Sequence, residues 1–207
     1  MTCNVHNLFP FPVCEALLDE KLISKDVEFI FNKIEETNVL RQNAGNNYLT
    51  LDSFILEQWN LSAINDNILK VLKTFINEVL RYEYEKFYIT QSWVNVNPPG
   101  TSHDYHNHKN SVLSGVLFLN TAPDCGDMIL YKPERDITPK VTFDPDNYFT
   151  WGNRYFSPIN NQLLIFPSNL YHAVSENKSN INRVSLAFNT FMSPLGYENN
   201  KMFAEVL

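Results

Sequence analysis

The spacing of apolar residues changes once along this chain, near Lys86, and that change limits which folds the chain can adopt. Before it, apolar residues recur at helical spacing over about residues 24–36 and again over about residues 63–83. After it, apolar runs are short and separated by turn residues, which is typical of a β-sandwich or a closed barrel. We therefore expect one α+β domain in which amino-terminal helices pack against a β-barrel.

Several boundaries follow from single residues. Ser24 is the expected N-cap of the first helix, because a serine oxygen can accept a hydrogen bond from the first helical turn. Prolines restrict residues 8–13 to an edge strand. Residues 132–157 are long, irregular and rich in aromatic side chains, which favours a binding loop or lid. The expected strands are 87–96, 106–108, 113–119, 128–131, 162–166, 172–175 and 183–191.

Composition narrows the functional classes. The formal net charge of −7 provides no basic surface for nucleic acid, so nucleic acid is disfavoured as a partner. Three cysteines are too few for a disulfide framework and fit a reducing cytoplasm. No apolar run approaches the roughly 20 residues that a membrane helix needs, so no membrane association is expected. A homodimer is compatible with the sequence, which does not specify an oligomeric state.

Three of the five histidines lie within six residues, at His103, His106 and His108. On a regular strand, residues two apart point to the same face, so His106 and His108 would lie side by side together with Asp104, while His103 would point away. Neutral imidazole is a common ligand of iron, zinc and copper. The pair predicts part of a metal site; an exposed polar strand end is the alternative.

A third histidine, His172, lies 64 residues beyond His108. It follows the apolar run Ile165-Phe166 and then Pro167-Ser168-Asn169, which turn the chain. This order places His172 at the mouth of a barrel, where it could complete a metal site or simply cap a loop. Because His106 and His108 already predict part of a metal site, we prefer the interpretation that His172 is a metal ligand.

Arg183 opens a strand that alternates polar and apolar residues. Alternation places Arg183, Ser185 and Ala187 on one face, which is a poor hydrophobic surface. The face could be exposed to solvent. If it faces the interior, the buried guanidinium needs an anionic partner, and no carboxylate of the chain is obviously placed to supply one. A bound carboxylate ligand could be that partner, with bidentate hydrogen bonds from Arg183 and a further contact from the Ser185 hydroxyl.

The order of these motifs resembles that of the 2-oxoglutarate–Fe(II) oxygenases of the double-stranded β-helix (jelly-roll) superfamily. Leu8-Phe9-Pro10 and the following helices also resemble that family, so the likeness covers nearly the whole chain. The motifs that carry it are Trp93-Val94-Asn95, His106-x-His108, Ser114-Gly115, Gly126-Asp127, Phe166-Pro167-Ser168, His172, Arg183-x-Ser185 and Phe188-Asn189.

The resemblance implies a function and a site. Residues 1–207 would form a single domain, with a helical buttress over about 1–86 and a jelly-roll core over about 87–195. His106, His108 and His172 would be the catalytic Fe(II) ligands, while Arg183, Ser185 and Asn95 would bind the cosubstrate 2-oxoglutarate. The implied reaction uses O₂ to decarboxylate 2-oxoglutarate and to hydroxylate a small molecule or a protein side chain.

One position departs from the superfamily pattern. Most members carry an aspartate or glutamate at the second ligand, where this chain has His108. Three neutral histidines leave the metal its full dipositive charge, which the 2-oxoglutarate dianion would neutralise. Asp104 is a rival ligand, or an acceptor that orients a histidine.

Two other functions stay open at this point. One is a cupin-like three-histidine metalloenzyme that does not use 2-oxoglutarate, similar to the thiol dioxygenases. The other is a jelly-roll module that binds a ligand without catalysis.

Overall fold

The computed structural model describes residues 11–43, 45–133 and 152–193. Within these ranges, three α-helices lie toward the amino terminus: α1 (Glu20–Ile34), α2 (Ile55–Gln58) and α3 (Ser62–Thr74), which a π-helical segment (Phe75–Leu80) continues. The described residues form eleven strands: β1 (Cys14–Leu17), β2 (Leu40–Gln42), β3 (Tyr48–Thr50), β4 (Lys86–Asn97), β5 (His103–His106), β6 (Leu113–Asn120), β7 (Met128–Leu130), β8 (Arg154–Phe156), β9 (Gln162–Pro167), β10 (His172–Val174) and β11 (Arg183–Ser193).

Two antiparallel sheets form the jelly roll. The large sheet has the order β1-β9-β6-β11-β4-β3-β2, and the small sheet has the order β5-β10-β7-β8. Sequence neighbours are seldom sheet neighbours, because the chain crosses between the sheets as it proceeds. The expected α+β fold with a double-stranded β-helix is confirmed.

The large sheet is buried on both faces. One face packs against the helices, and the alternating residues Val184, Leu186 and Phe188 of β11 belong to that core. The other face packs against the small sheet, where Phe118 meets residues such as Met128. Because alternate residues of a strand point to opposite faces, Arg183, Ser185 and Ala187 are directed between the sheets.

The first helix begins earlier than its apolar pattern suggests. Its N-cap is Asp19, whose carboxylate accepts a 3.0 Å hydrogen bond from the backbone N–H of Lys21. Ser24, the expected cap, lies inside the helix. The apolar stripe is placed correctly, since Ile30 is fully buried and Phe31 packs against the same core.

The second long helix ends sooner than expected. The α-helix changes to π-helical hydrogen bonding at Phe75 and stops before Arg81, whose φ of 53° is left-handed. A π-helix bonds each residue to the fifth one along, so it turns the apolar stripe away from its α-helical line. Val79, expected in the stripe, is accordingly exposed.

The amino-terminal part also contributes strands that were not expected. A short hairpin of β2 and β3 extends the large sheet beside β4. At the opposite edge, β1 pairs with β9. The edge position expected for residues 8–13 therefore belongs to β1, which begins at Cys14, whereas residues 1–10 lie outside the described part.

Two further expectations concern loops and membranes. Of the expected loop 132–157, residues 134–151 lie outside the described part, and its end contains β8, which pairs with β7. None of the helices in the described residues is long and apolar enough to span a membrane.

Candidate active site

A pocket lies between the two sheets, and the candidate site residues predicted from the sequence line it. The large sheet lines it from β4, β6, β9 and β11, and the small sheet lines it from β5, β7 and β10. The small sheet supplies histidines, whereas the large sheet supplies an arginine and amide and hydroxyl side chains. The two walls therefore offer different chemistry.

His106, His108 and His172 meet at the small-sheet wall. Each can present a ring nitrogen such that the three nitrogens lie within 4.8 Å of one another. The ring centroids of His106 and His172 are 4.2 Å apart, because these residues are paired across β5 and β10. The sequence pattern predicted this grouping, and the fold brings all three residues together.

Backbone carbonyls orient two of the three rings. His172 donates from Nδ1 to the carbonyl of Leu170 at 3.0 Å, and His106 donates from Nδ1 to the carbonyl of Asp104 at 2.7 Å. A carbonyl only accepts, so the proton of each neutral ring lies on Nδ1. Nε2 of both rings then has a free lone pair, and a nitrogen with a free lone pair can bind a metal.

Burial favours the neutral form of two of these imidazoles, His172 and His108. Burial first, and the nearby His106 second, lower the pKa of His172 to about 3. Burial also lowers the pKa of His108 to about 4, again with His106 as the next cause. At neutral pH both rings are therefore uncharged, so no proton has to leave before a metal binds.

A β-bulge changes the face expected for His103 and Asp104. His106 pairs with His172 and His103 pairs with Val174, so three steps on β5 match two on β10. The extra residue shifts the alternation. His103 consequently turns into the pocket, where its ring stacks on that of His106 at 4.7 Å, and the Asp104 side chain is exposed and outside the metal-binding group.

His108 lies beyond the end of β5 and is held by a different segment. Its backbone N–H donates to the carbonyl of Ser168 at 3.0 Å. The Ser168 hydroxyl lies 2.8 Å from that of Ser114, which donates to Asn189 Oδ1 at 2.7 Å. Because the single Ser114 proton goes to Asn189, Ser168 donates to Ser114. This chain of buried bonds ties the turn at Ser168 to the large sheet.

The opposite wall centres on Arg183. The side chain is 2% exposed, and its Nε and Nη1 have no hydrogen-bond partner among the described residues. Burial lowers the pKa of Arg183 to about 10, so the guanidinium is still charged at neutral pH. It lies over the ring of Phe118, with Cζ 5.1 Å from the centroid. In the described part of the chain no carboxylate forms an ion pair with it.

Neighbouring polar side chains surround this guanidinium. Ser185 pairs across the sheet with Asn95, and both are buried and line the pocket. Oδ1 of Asn95 has no hydrogen-bond partner in the described part. Asn97, which sequence reasoning did not single out, lies opposite Arg183. It could have been found by extending the alternation of β4 one step beyond Asn95.

The family comparison agrees with this geometry. Residues 91–189 match the model of a family described as "Putative 2OG-Fe(II) oxygenase". This segment is a 2OG-Fe(II) oxygenase domain. It contains every candidate site residue from Asn95 to Ser185, and the family uses Fe(II) and 2-oxoglutarate. No curated protein sequence matches the chain.

Solved structures share the fold of the oxygenase domain at low sequence identity. A Pseudomonas putida prolyl-4-hydroxylase is 17% identical, with 88% of this chain and 94% of that chain covered and a TM-score of 0.62. A Trichoplax adhaerens prolyl hydroxylase, in complex with a hypoxia inducible factor peptide fragment, is 16% identical, with coverages of 88% and 83% and a TM-score of 0.58. The epimerase SnoN, in complex with Fe3+, alpha ketoglutarate and nogalamycin RO, is 9% identical, with coverages of 88% and 79% and a TM-score of 0.63.

The donor sets of the oxygenase domain fit both groups that the family uses. Three imidazoles suit a divalent transition metal and leave coordination positions for other ligands. The unpaired donors of the buried guanidinium suit an anionic acceptor such as a carboxylate. Because the metal-binding and anion-binding groups line the same pocket, a single small dicarboxylate could reach both.

Proposed function

We propose that this oxygenase is an Fe(II)- and 2-oxoglutarate-dependent dioxygenase that hydroxylates its substrate, with His106, His108 and His172 as the iron ligands. One observation carries the proposal: a fully buried guanidinium with two unpaired N–H groups lines the same pocket as three convergent imidazoles. A buried charge of this kind needs an anionic partner. The distal carboxylate of 2-oxoglutarate provides that partner.

Each part of the pocket then has a task. The three histidines hold the metal through ring nitrogens, and hydrogen bonds to backbone carbonyls fix the orientation of the His106 and His172 rings. Arg183 and Ser185 bind the distal carboxylate, and Asn95 contacts the cosubstrate from the neighbouring strand. Iron and 2-oxoglutarate, when bound, supply the O₂-dependent oxidation. The two packed sheets exclude water around the reacting groups, which strengthens each of these polar contacts.

The substrate is a small molecule or a protein side chain. Proteins of this fold include one bound to a peptide fragment and one bound to nogalamycin RO, which supports keeping both classes. We further propose that residues 1–207 act as one domain in the cytoplasm, without nucleic acid, because the chain is acidic and poor in cysteine. A homodimer is compatible with this proposal.

Anaerobic titration tests the proposal most directly. Fe(II) is added to the protein first and 2-oxoglutarate second, and the visible absorption is recorded. We expect a metal-to-ligand charge-transfer band with 2-oxoglutarate, lost or strongly weakened in Arg183→Ala. Arg41→Ala, which removes an exposed arginine on β2, is the matched control and keeps the band.

Admission of O₂ completes the test. We expect succinate to form in the wild-type protein. Iron binding without the band and without succinate would reject 2-oxoglutarate and favour the cupin-like alternative. Failure to bind iron at all would favour a non-catalytic jelly-roll module.

A further inference from the structure

The large-sheet wall of the pocket, which surrounds Arg183 and is called the arginine wall below, holds one more buried donor. The proposed function leaves this donor unused. The Asn97 side chain is 2% exposed, and its Nδ2 has no hydrogen-bond partner among the described residues. Buried amide donors are rarely left unpaired in folded proteins, so such a group calls for a specific explanation. A bound ligand is one.

The position of Asn97 is fixed by the sheet. It is the last residue of β4 and pairs directly with Arg183, the first residue of β11. Directly opposed residues point to the same face with their Cβ atoms about 5 Å apart. Its backbone carbonyl accepts a 2.8 Å hydrogen bond from Asn177 Nδ2, so this strand end is held in place. The side chain lines the pocket beside the guanidinium.

Three of the unpaired atoms at this wall are donors, and one, Asn95 Oδ1, is an acceptor. Arg183 Nε, Arg183 Nη1 and Asn97 Nδ2 are all donors, so none of them can accept a hydrogen bond from another. A carboxylate has two oxygens with about four acceptor positions, so it can accept from the guanidinium and from the Asn97 amide together. Because donors outnumber the acceptor and the guanidinium is charged, an anionic ligand matches this wall better than a neutral one.

We propose that Asn97 is a further cosubstrate-binding residue, whose amide donates to the distal carboxylate held by Arg183 and Ser185. The inference rests on the proposed function. It assigns Asn97 a role in specificity: the amide favours 2-oxo acids that carry a second carboxylate over those that end in a methyl group. A hydrogen bond to a charged partner corresponds to roughly 10- to 100-fold in affinity.

The test compares two ligands that share the 2-oxo acid group. 2-Oxoglutarate has the distal carboxylate, and 2-oxobutyrate lacks it. Dissociation constants are measured anaerobically on the Fe(II)-loaded protein by absorption and calorimetry, so no turnover is needed. Asn97→Leu should weaken 2-oxoglutarate binding about 10-fold or more and leave 2-oxobutyrate and Fe(II) binding unchanged. Asn120→Leu is the matched control, because that amide bonds the Asn182 carbonyl outside the pocket.

A second variant covers the case in which leucine disturbs folding. Asn97→Asp retains the shape and places a carboxylate opposite Arg183. We expect it to fold, to lose 2-oxoglutarate binding more severely than Asn97→Leu, and to retain 2-oxobutyrate. Equal affinity for 2-oxoglutarate in the wild-type and Asn97→Leu proteins would overturn this inference alone, as would an equal loss for both ligands. A wild-type protein that binds iron but not 2-oxoglutarate would overturn the proposed function and this inference with it.

Discussion

The pocket has an arginine wall around Arg183 and a histidine wall where His106, His108 and His172 meet. The two walls differ in how completely their polar groups are hydrogen-bonded. At the histidine wall, His106 and His172 are each anchored by Nδ1 to a backbone carbonyl, which leaves Nε2 of both rings for a metal. At the arginine wall, buried donors of Arg183 and Asn97 have no partner among the described residues. Two rings of the first wall are oriented before any ligand arrives, whereas the donors of the second wall are left for a ligand to pair.

This difference separates two sources of affinity. A metal binds more tightly at the histidine wall when its ligand side chains are already oriented, because binding then costs little side-chain entropy. An anion at the arginine wall gains by satisfying donors whose burial costs the protein stability. The arginine wall should therefore show a trade between stability and binding that the histidine wall does not.

The largest effect is expected at the histidine wall. His172→Ala removes one of three ligands and should weaken Fe(II) or Co(II) binding by on the order of 100-fold or more, since even the groups that support a ligand are worth 10- to 100-fold. A Co(II) titration followed by absorption measures it. His103→Ala is the matched control, because His103 lines the pocket without joining the ligand group. Comparable losses in both variants would show that the ligand set is different.

At the arginine wall we expect a large loss of 2-oxoglutarate binding, while the stability of the ligand-free protein is unchanged or higher. Arg183→Met keeps the side-chain volume and removes the unpaired buried charge. We expect the free energy of unfolding of the ligand-free protein to stay level or to rise by about 1 kcal/mol, because a well-packed apolar residue often replaces a buried charge without loss. Binding of 2-oxoglutarate should be nearly abolished. Urea unfolding and ligand titration provide the two measurements, and clear destabilisation would mean that the guanidinium is already paired.

An intermediate effect is expected from the bonds that join the walls. Ser168→Ala breaks the hydrogen bond to Ser114 and loosens the turn whose carbonyl holds the backbone of His108. We expect about 10-fold weaker metal binding and a loss of about 1 kcal/mol in the free energy of unfolding. Ser157→Ala, at an exposed hydroxyl bonded to Asp127, is the control. A stability loss with full metal affinity would limit Ser168 to a structural role.

The smallest effect is expected at Asp104. Its carboxylate is exposed, and only its backbone carbonyl contacts His106. Asp104→Asn should therefore leave the metal affinity almost unchanged, as judged by the same Co(II) titration. A large loss of metal binding would identify the carboxylate as a ligand and reject the three-histidine set.

Sequence patterns were most informative where one face of an element is buried. The alternation of β11 correctly separated Arg183 and Ser185 from Val184 and Leu186, because a strand between two packed layers has to sort its residues by face. The stripe of α1 was placed correctly for the same reason. Its start was not, because Asp19 and Ser24 are both suitable caps and only the hydrogen bond to Lys21 distinguishes them.

Patterns failed where pairing with a distant strand set the geometry. The faces of His103 and Asp104 depend on a bulge in the pairing of β5 with β10, which no local pattern reveals. The π-helical end of α3 likewise shifted Val79 out of the stripe. In both cases a single extra residue or an altered turn reversed the direction of a side chain.

The sequence by itself determined which groups this protein can use: three histidines at strand spacing, one arginine on a polar strand face, and a change from helical to strand periodicity. These features are local, so short-range periodicity is enough to find them. Only the tertiary structure decided which groups meet. It placed the histidines of one sheet across a buried pocket from Arg183 of the other, and it turned Asp104 out and His103 in. Contacts between sheets depend on register and packing over many residues, which no local stretch of sequence contains.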